Sequence, residues 1–527
     1  MTKCSLRSGW ALKVLLLAAC GGGVGCGNEA DDGATSAVPG TFGGPAATAP
    51  GGPANGSNNP ESTPADSGSA GPGEAPVVNG GTPLMPGQGQ TPGGAPGGGP
   101  GVVGTSSTLV PPFEPGPPNS GVVGGTPNLL TDVLGRTQAE VDTKLLTAVN
   151  RFFGIGSNDP ATPSVGNGGA RSFYVLPQDT SMGFVWAADS ADIRSEGMSY
   201  GMFIAVQMNL QQQFDQLWRF AKTYMQYPSE PDAELVGWRL YFRWTGKVNT
   251  DNASNWQVTY NATEPPASDG EEYFAAALYL ADRRWGSAGA LNYQADADAL
   301  THAMLHNPES AGRTPLIDSE SNMVTFVPYG TSAEHSDPSY HLPAFYELFA
   351  QDGPQVNSER WRQVAEVSRG YFVSSANAST GLHPDYAQFD GTPTQGYQAS
   401  NHDSFRFDAW RVPLNMAVDY AWSGPDPRLR TQQDKYLQFF SSRIANGNVS
   451  ASGFSLDGSN GSGGGSQALV ATLASATIGS NEGSRMTFLD NLWNIQQPTG
   501  QYRYYQGAVY LLGLLAASGN LDYGWAQ

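Results

Sequence analysis

From about residue 128 onward the sequence predicts an all-α domain. Apolar residues recur at helical spacing in about eleven segments, and alternating patterns of the kind a half-buried strand needs are few and short. All 22 Tyr and 11 of the 12 Trp lie beyond Leu129, where a core can form. The sequence has no repeat with a fixed 20 to 50 residue period, which disfavours a regular solenoid. A toroid of helical hairpins with a cleft at one end fits the helix count better.

In chain order, the first 26 of the 527 residues hold three basic groups and no acid. Lys3, Arg7 and Lys13 form a positive n-region and Val14 to Ala19 a short apolar stretch, as in an export signal, and the stretch is too short to span a bilayer. Leu17-Ala18-Ala19-Cys20 resembles a bacterial lipoprotein signal. Residues 1–20 are therefore expected to be a signal peptide and Cys20 the lipidated residue, with ordinary cleavage near Gly25 as the alternative. The expected location is outside the cell, lipid-anchored at the bacterial surface or outer membrane or else secreted, touching membrane only through the lipid.

Residues 21–127 read as a tether. Between Gly51 and Pro100, 15 Gly and 10 Pro make up half the window, and neither Lys nor Arg occurs from Val14 to Gly135. Such a stretch cannot bury enough apolar surface to offset its ordering entropy, and a flexible coil of this length spans ~55 Å. All three cysteines (Cys4, Cys20, Cys26) precede it, so structural disulfides, thiolate-ligated zinc and thiol nucleophiles are excluded from the folded part.

Within the domain, 128–527, Val141, Leu145, Val149 and Phe152 line one face of a helix expected over 138–153. Similar patterns predict helices over 198–225, 271–284, 293–306, 344–350, 361–372, 412–422, 434–444, 468–476, 486–493 and 506–517. Long links rich in Gly, Asn, Ser and Pro, such as 154–169 and 247–268, are candidates for function. The domain holds 24 basic and 40 acidic residues, a net charge of −16. Nucleic acid is a poor partner for such a surface, whereas neutral ligands suit it.

Three formal motif matches fail on context. His302 and His306 are one helical turn apart, but Ala303 stands where a metalloprotease needs Glu, so solvated helix histidines are expected. Gly197-Met198-Ser199-Tyr200-Gly201 matches a nucleophile elbow, but that motif needs a buried strand before the turn and Ala187-Ala188-Asp189-Ser190-Ala191-Asp192 does not read as one. Gly458 to Gly465 lacks the Lys and Ser/Thr of a phosphate loop. No metal or cofactor is expected.

Three acids stand in unusual settings. Glu196 lies among glycines and methionines at a helix start, where the helix dipole or Arg194 could also explain it. Asp269, in Ala267-Ser268-Asp269-Gly270-Glu271, reads equally as a helix cap. Asp408, in Phe407-Asp408-Ala409-Trp410-Arg411-Val412-Pro413, reads equally as a buried ion pair. Paired carboxylates in an aromatic-rich domain without usable cysteine suggest polysaccharide hydrolysis, one acid protonating a glycosidic oxygen while another activates water.

Together with Glu196-Gly197-Met198-Ser199-Tyr200-Gly201-Met202, Asp337-Pro338-Ser339-Tyr340-His341-Leu342-Pro343-Ala344-Phe345, Tyr504-Tyr505-Gln506-Gly507 and Leu511-Leu512-Gly513-Leu514-Leu515, these segments resemble glycoside hydrolase family 8 over roughly residues 130 to 525. The chain looks nearest to the xylan-active branch of endo-xylanases and reducing-end xylose-releasing exo-oligoxylanases. The resemblance implies an (α/α)6 barrel and an inverting single displacement on a β-1,4-linked polysaccharide or oligosaccharide. By motif position Glu196 would be the general acid, with a raised pKa, and Asp408 the general base. Tyr340 would help hold the attacking water, Asp269 would bind and distort the sugar, Arg411 would support the base, and Trp244 would match a sugar-stacking tryptophan. Exo-acting relatives close the far side of the cleft with a Leu-His-Pro loop. The matching region here is Gly463-Gly464-Gly465-Ser466-Gln467-Ala468-Leu469, and no histidine follows His402; an open cleft there would favour endo cleavage, while the similarity to the exo branch keeps release from the reducing end as the other expected mode. A β-1,4-glucanase of the same fold and a non-catalytic glycan-binding lipoprotein are the competing readings.

Overall fold

The computed structural model describes residues 125–524 except 165, 167–168 and 397–400. The expected signal peptide, Cys20 and most of the tether lie outside the described residues.

Twelve helices of ten residues or more occur among the described residues: α1 Gln138–Phe153, α2 Ser195–Gln207, α3 Gln211–Phe220, α4 Ser268–Trp285, α5 Tyr293–His306, α6 Pro343–Asp352, α7 Ser358–Ser374, α8 Val412–Ser423, α9 Pro427–Phe440, α10 Gln467–Ala476, α11 Arg485–Asn494 and α12 Tyr505–Ala517. They alternate in character. The even-numbered helices are buried over most of their length, as their near-continuous apolar sequences require. The odd-numbered ones bury one stripe, as Val141, Leu145, Val149 and Phe152 do in α1. Each buried helix touches the next in chain order, and α12 touches α2. Gly513 lets α12 approach α10 closely, since a Cβ there would sit 2.7 Å from the Ala471 backbone. No helix among the described residues is long and apolar enough to cross a membrane.

The expected helix over 198–225 is two helices. The chain turns at Asn209, whose φ of 57° is left-handed, and resumes as α3 before a π turn over Ala221–Met225. Asn tolerates that conformation, and its Oδ1 accepts from Trp285 Nε1 at 2.8 Å, which pins the break. Because α2 is apolar all round, its periodicity carries no sign of where it stops. α9 begins at Pro427, seven residues before the apolar pattern suggests. Asp426 caps it by accepting from Arg428 N, and Pro427 sits where a helix needs no donor.

The strands are short. β1 Phe173–Leu176 and β2 Asp179–Val185 form a hairpin, and β3 Ile193–Arg194, β4 Thr245–Asn249 and β5 Gln257–Tyr260 form an antiparallel sheet in that order. The 247–268 link therefore contains most of a hairpin. β3 runs straight into α2 and aims the first turn of that helix.

Candidate active site

The starts of four buried helices carry the acidic site. Glu196 is the second residue of α2 and Asp269 the second of α4. Asp337 caps the 3-10 turn Pro338–Tyr340 that leads to α6, accepting from Ser339 N at 2.6 Å. Asp408 and Arg411 lie on the 3-10 turn Phe407–Arg411 that becomes α8. Helix N-termini favour negative charge, which suits carboxylates gathered at this end. Asp269 is not a cap: the N-cap position of α4 is Ala267, which makes no side-chain capping bond.

Arg411 ties the four acids together. Its Nη1 donates to Glu196 Oε2 at 3.1 Å, Asp269 Oδ2 at 3.0 Å and Tyr200 Oη at 2.6 Å. Its Nη2 pairs with Asp408 Oδ1 at 3.1 Å and Asp337 Oδ2 at 3.6 Å. The partner of Glu196 is thus Arg411, from 215 residues away, while Arg194 pairs with Asp192. Tyr504 Oη donates to the other oxygen, Glu196 Oε1, at 2.7 Å. Gly197 makes room for it, because a Cβ there would sit 2.4 Å from the Tyr504 ring.

One guanidinium cannot offset four carboxylates out of water, so protons are retained. Burial first, and then the charges of Asp269 and Asp408, push the Glu196 carboxyl up to about 7 against the pull of Arg411 and Tyr504. Burial likewise raises Asp269 and carries Asp337 well above the carboxylate range. Accessibility separates the four: the Glu196 and Asp408 side chains are 16% and 23% exposed, those of Asp269 and Asp337 3% and 0%. Glu196 and Asp408 are thus the two most accessible of the four carboxyls.

Tyr340 is brought to the same place. Its ring stacks on Phe326 at 5.6 Å with Arg411 over it at 5.4 Å, and burial together with Asp269, Asp408 and Asp337 raises its hydroxyl pKa. Trp244 lies behind Glu196: its carbonyl accepts from Ser195 N at 2.9 Å, and Arg194 packs over both the Trp244 and Tyr504 rings. In the free protein Trp244 is 6% exposed. Tyr200, Asp337 and Tyr504 carry no separate role in the sequence reading although each lies inside a quoted motif. Each acts through contacts more than 70 residues distant in the chain, which spacing cannot show.

The rejected motifs have other employment. Ser199 Oγ donates to the Glu196 carbonyl, and His302 and His306 are exposed, the latter bonded to Asn357. The 461–465 stretch is exposed next to Ser452 and Gly453, whose segment binds Trp410 beside the Asp408 turn. A Leu-His-Pro triplet does occur at Leu382-His383-Pro384, but His383 is buried between Tyr436 Oη and the Phe372 carbonyl, so it forms no wall of the cleft.

The sequence model described as Glycosyl hydrolases family 8 matches residues 183–519. Reducing-end xylose-releasing exo-oligoxylanase Rex8A of Paenibacillus barcinonensis is 36% identical over 66% of this chain and 87% of its own. A crystal structure of a GH8 xylobiose complex from Teredinibacter turnerae superposes with a TM-score of 0.67 at 36% identity, covering 75% of this chain and 97% of that one. Endoglucanase A of Acetivibrio thermocellus is 30% identical over 63% of each chain.

Proposed function

Since the chain belongs to glycosyl hydrolase family 8 and is therefore a glycosidase, we propose that it cleaves β-1,4-xylosidic bonds of xylan or xylo-oligosaccharides with inversion. The observation that carries this reading is the pair of partly exposed carboxyls, Glu196 and Asp408, on different nitrogens of one guanidinium. That geometry caps their shortest separation at roughly 8.5 Å, a range that overlaps the ~6.5–9.5 Å spacing of an inverting pair, and the inverting course itself is what the family resemblance implies. We further infer that the twelve helices are an (α/α)6 barrel: the cyclic contacts of the buried helices support an inner ring, with the odd-numbered helices outside it.

In the proposed reaction Glu196, protonated near neutral pH, gives its proton to the glycosidic oxygen as the bond to the anomeric carbon breaks. Asp408 takes a proton from the water that attacks the opposite face, and Arg411 aims its carboxylate. Tyr340 holds the water, Asp269 binds the sugar at the cleavage point and draws it from its resting shape, and Trp244 meets a sugar at the edge of the cleft. After turnover solvent reprotonates Glu196 and removes the proton from Asp408. The histidine-free 461–465 stretch favours internal cleavage. Export through residues 1–20 and a lipid at Cys20 would display the enzyme on a bacterial surface.

Full-length protein acting on xylohexaose, followed by time-resolved proton NMR, tests the reading. The α-anomer is expected first at each new reducing end, and fragments of intermediate length distinguish internal cleavage from release of single xylose units. The similarity to an endoglucanase supports one alternative. Space for a hydroxymethyl group changes binding by only ~1–3 kcal/mol, so cellohexaose belongs in the same assay. Cleavage of cellohexaose alone would transfer the activity to glucan, and binding without turnover of either would make this a glycan-binding protein.

The pH profile gives a second check. Glu196 acts in its protonated form, so kcat/KM is expected to be sustained below its pKa and to fall on a limb centred near 7 as the pH rises. A profile flat to pH 9 would remove Glu196 from the acid role.

A further inference from the structure

Glu272, one turn beyond Asp269 in α4, is fully buried and takes no part in the proposed reaction. Among the described residues it makes no ion pair, and its Oε2 has no hydrogen-bond partner. Its Oε1 lies 2.6 Å from Tyr346 Oη. That hydroxyl has two further backbone neighbours of fixed character: Leu342 N–H, which can only donate to it at 3.1 Å, and the Tyr340 carbonyl, which can only accept from it at 3.1 Å. Ser368 also approaches, its hydroxyl already shared with His341 Nδ1. A phenol has one hydrogen. If Glu272 were ionised it would claim that hydrogen, leaving the Tyr340 carbonyl without it and a carboxylate in the core with one bond and no cation, an arrangement of high cost.

We propose that Glu272 is a protonated positioning residue: its carboxyl donates to Tyr346 Oη, which donates to the Tyr340 carbonyl and so holds the turn carrying the water-binding tyrosine. Every polar group of the Tyr346 hydroxyl is then satisfied in one direction, Glu272 to Tyr346 to Tyr340. Burial, then the nearby Asp269 and Glu271, raises the Glu272 carboxyl in the same sense, opposed by the Tyr346 bond and the more distant Arg411. The role in catalysis rests on Tyr340 acting as proposed above, whereas the protonation state does not.

The test has two arms on the full-length protein. In infrared difference spectra of wild type against Glu272→Gln at neutral pH, loss of an un-ionised carboxyl band is expected, and loss of a carboxylate band would overturn the protonated state. In kinetics on xylohexaose, Tyr346→Phe is expected to lower kcat ~10-fold with KM little changed, as a misaimed water would, while Glu272→Gln, which can still donate, stays within about threefold of wild type. Unchanged kcat in Tyr346→Phe would overturn the positioning role, and so would equal losses in both variants. Tyr340→Phe is the control: if it too keeps full kcat, the fault lies with the role of Tyr340, and the spectrum still decides the state of Glu272.

Discussion

Glu196→Gln is expected to keep the fold and to lose ~10³-fold in kcat on unactivated xylo-oligosaccharide, within the 10²–10⁴ range of general acid catalysis. With the glutamine oxygen turned to Arg411 Nη1 and its NH2 donating to the Tyr504 hydroxyl, which can also accept, the pocket keeps its shape while the transferable proton disappears. An aryl xyloside whose leaving group needs no protonation should recover most of the lost rate, and the limb near pH 7 should vanish with the carboxyl that produces it. Side-by-side kinetics on the two substrates check this. A loss below tenfold on the natural oligosaccharide, or no recovery on the activated one, would place the acid elsewhere.

Arg411→Met is expected to destabilise the protein by ~3–5 kcal/mol at neutral pH and to abolish turnover, because it leaves four carboxyls around an empty centre. The sign of the pH dependence follows from direction. Glu196, Asp269 and Asp337 already titrate higher in the folded chain than in the unfolded one, and removing the cation raises them further. Their contribution is complete below the unfolded values and is lost as pH climbs through the folded ones, so the deficit should be small near pH 4 and larger near pH 8. Thermal unfolding of wild type and variant at both pH values measures it. Arg411→Lys should not restore function, since a single ammonium cannot place donors on Glu196 and Asp269 while pairing with Asp408. An equal deficit at both pH values would mean that packing, not charge, is what Arg411 supplies.

Much of this was legible in the chain and some was not, for identifiable reasons. The helices α1 and α5 have the expected limits because each has one apolar stripe between polar residues, and amphipathic periodicity reports where such a stripe stops. The α2–α3 break escaped because a helix buried on all sides is apolar through its ends. The start of α9 was written in Asp426 and Pro427 but outweighed by an apolar pattern that begins later. Glu196, Asp269 and Asp408 stood out as acids in unusual settings, whereas Tyr340 and Arg411 came only from the motifs that resemble the family. By itself, then, the sequence determined a mainly helical domain without thiols, three of the four acids that meet at its site and the family to which it belongs. The tertiary structure decided that Arg411 joins four acids, which two of their carboxyls are the more exposed, how far Glu196 rises and that Glu272 has Tyr346 for a neighbour. Residue type and local pattern are properties of a segment, whereas desolvation and charge pairing depend on atoms brought together from hundreds of residues apart, and only the folded chain brings them together.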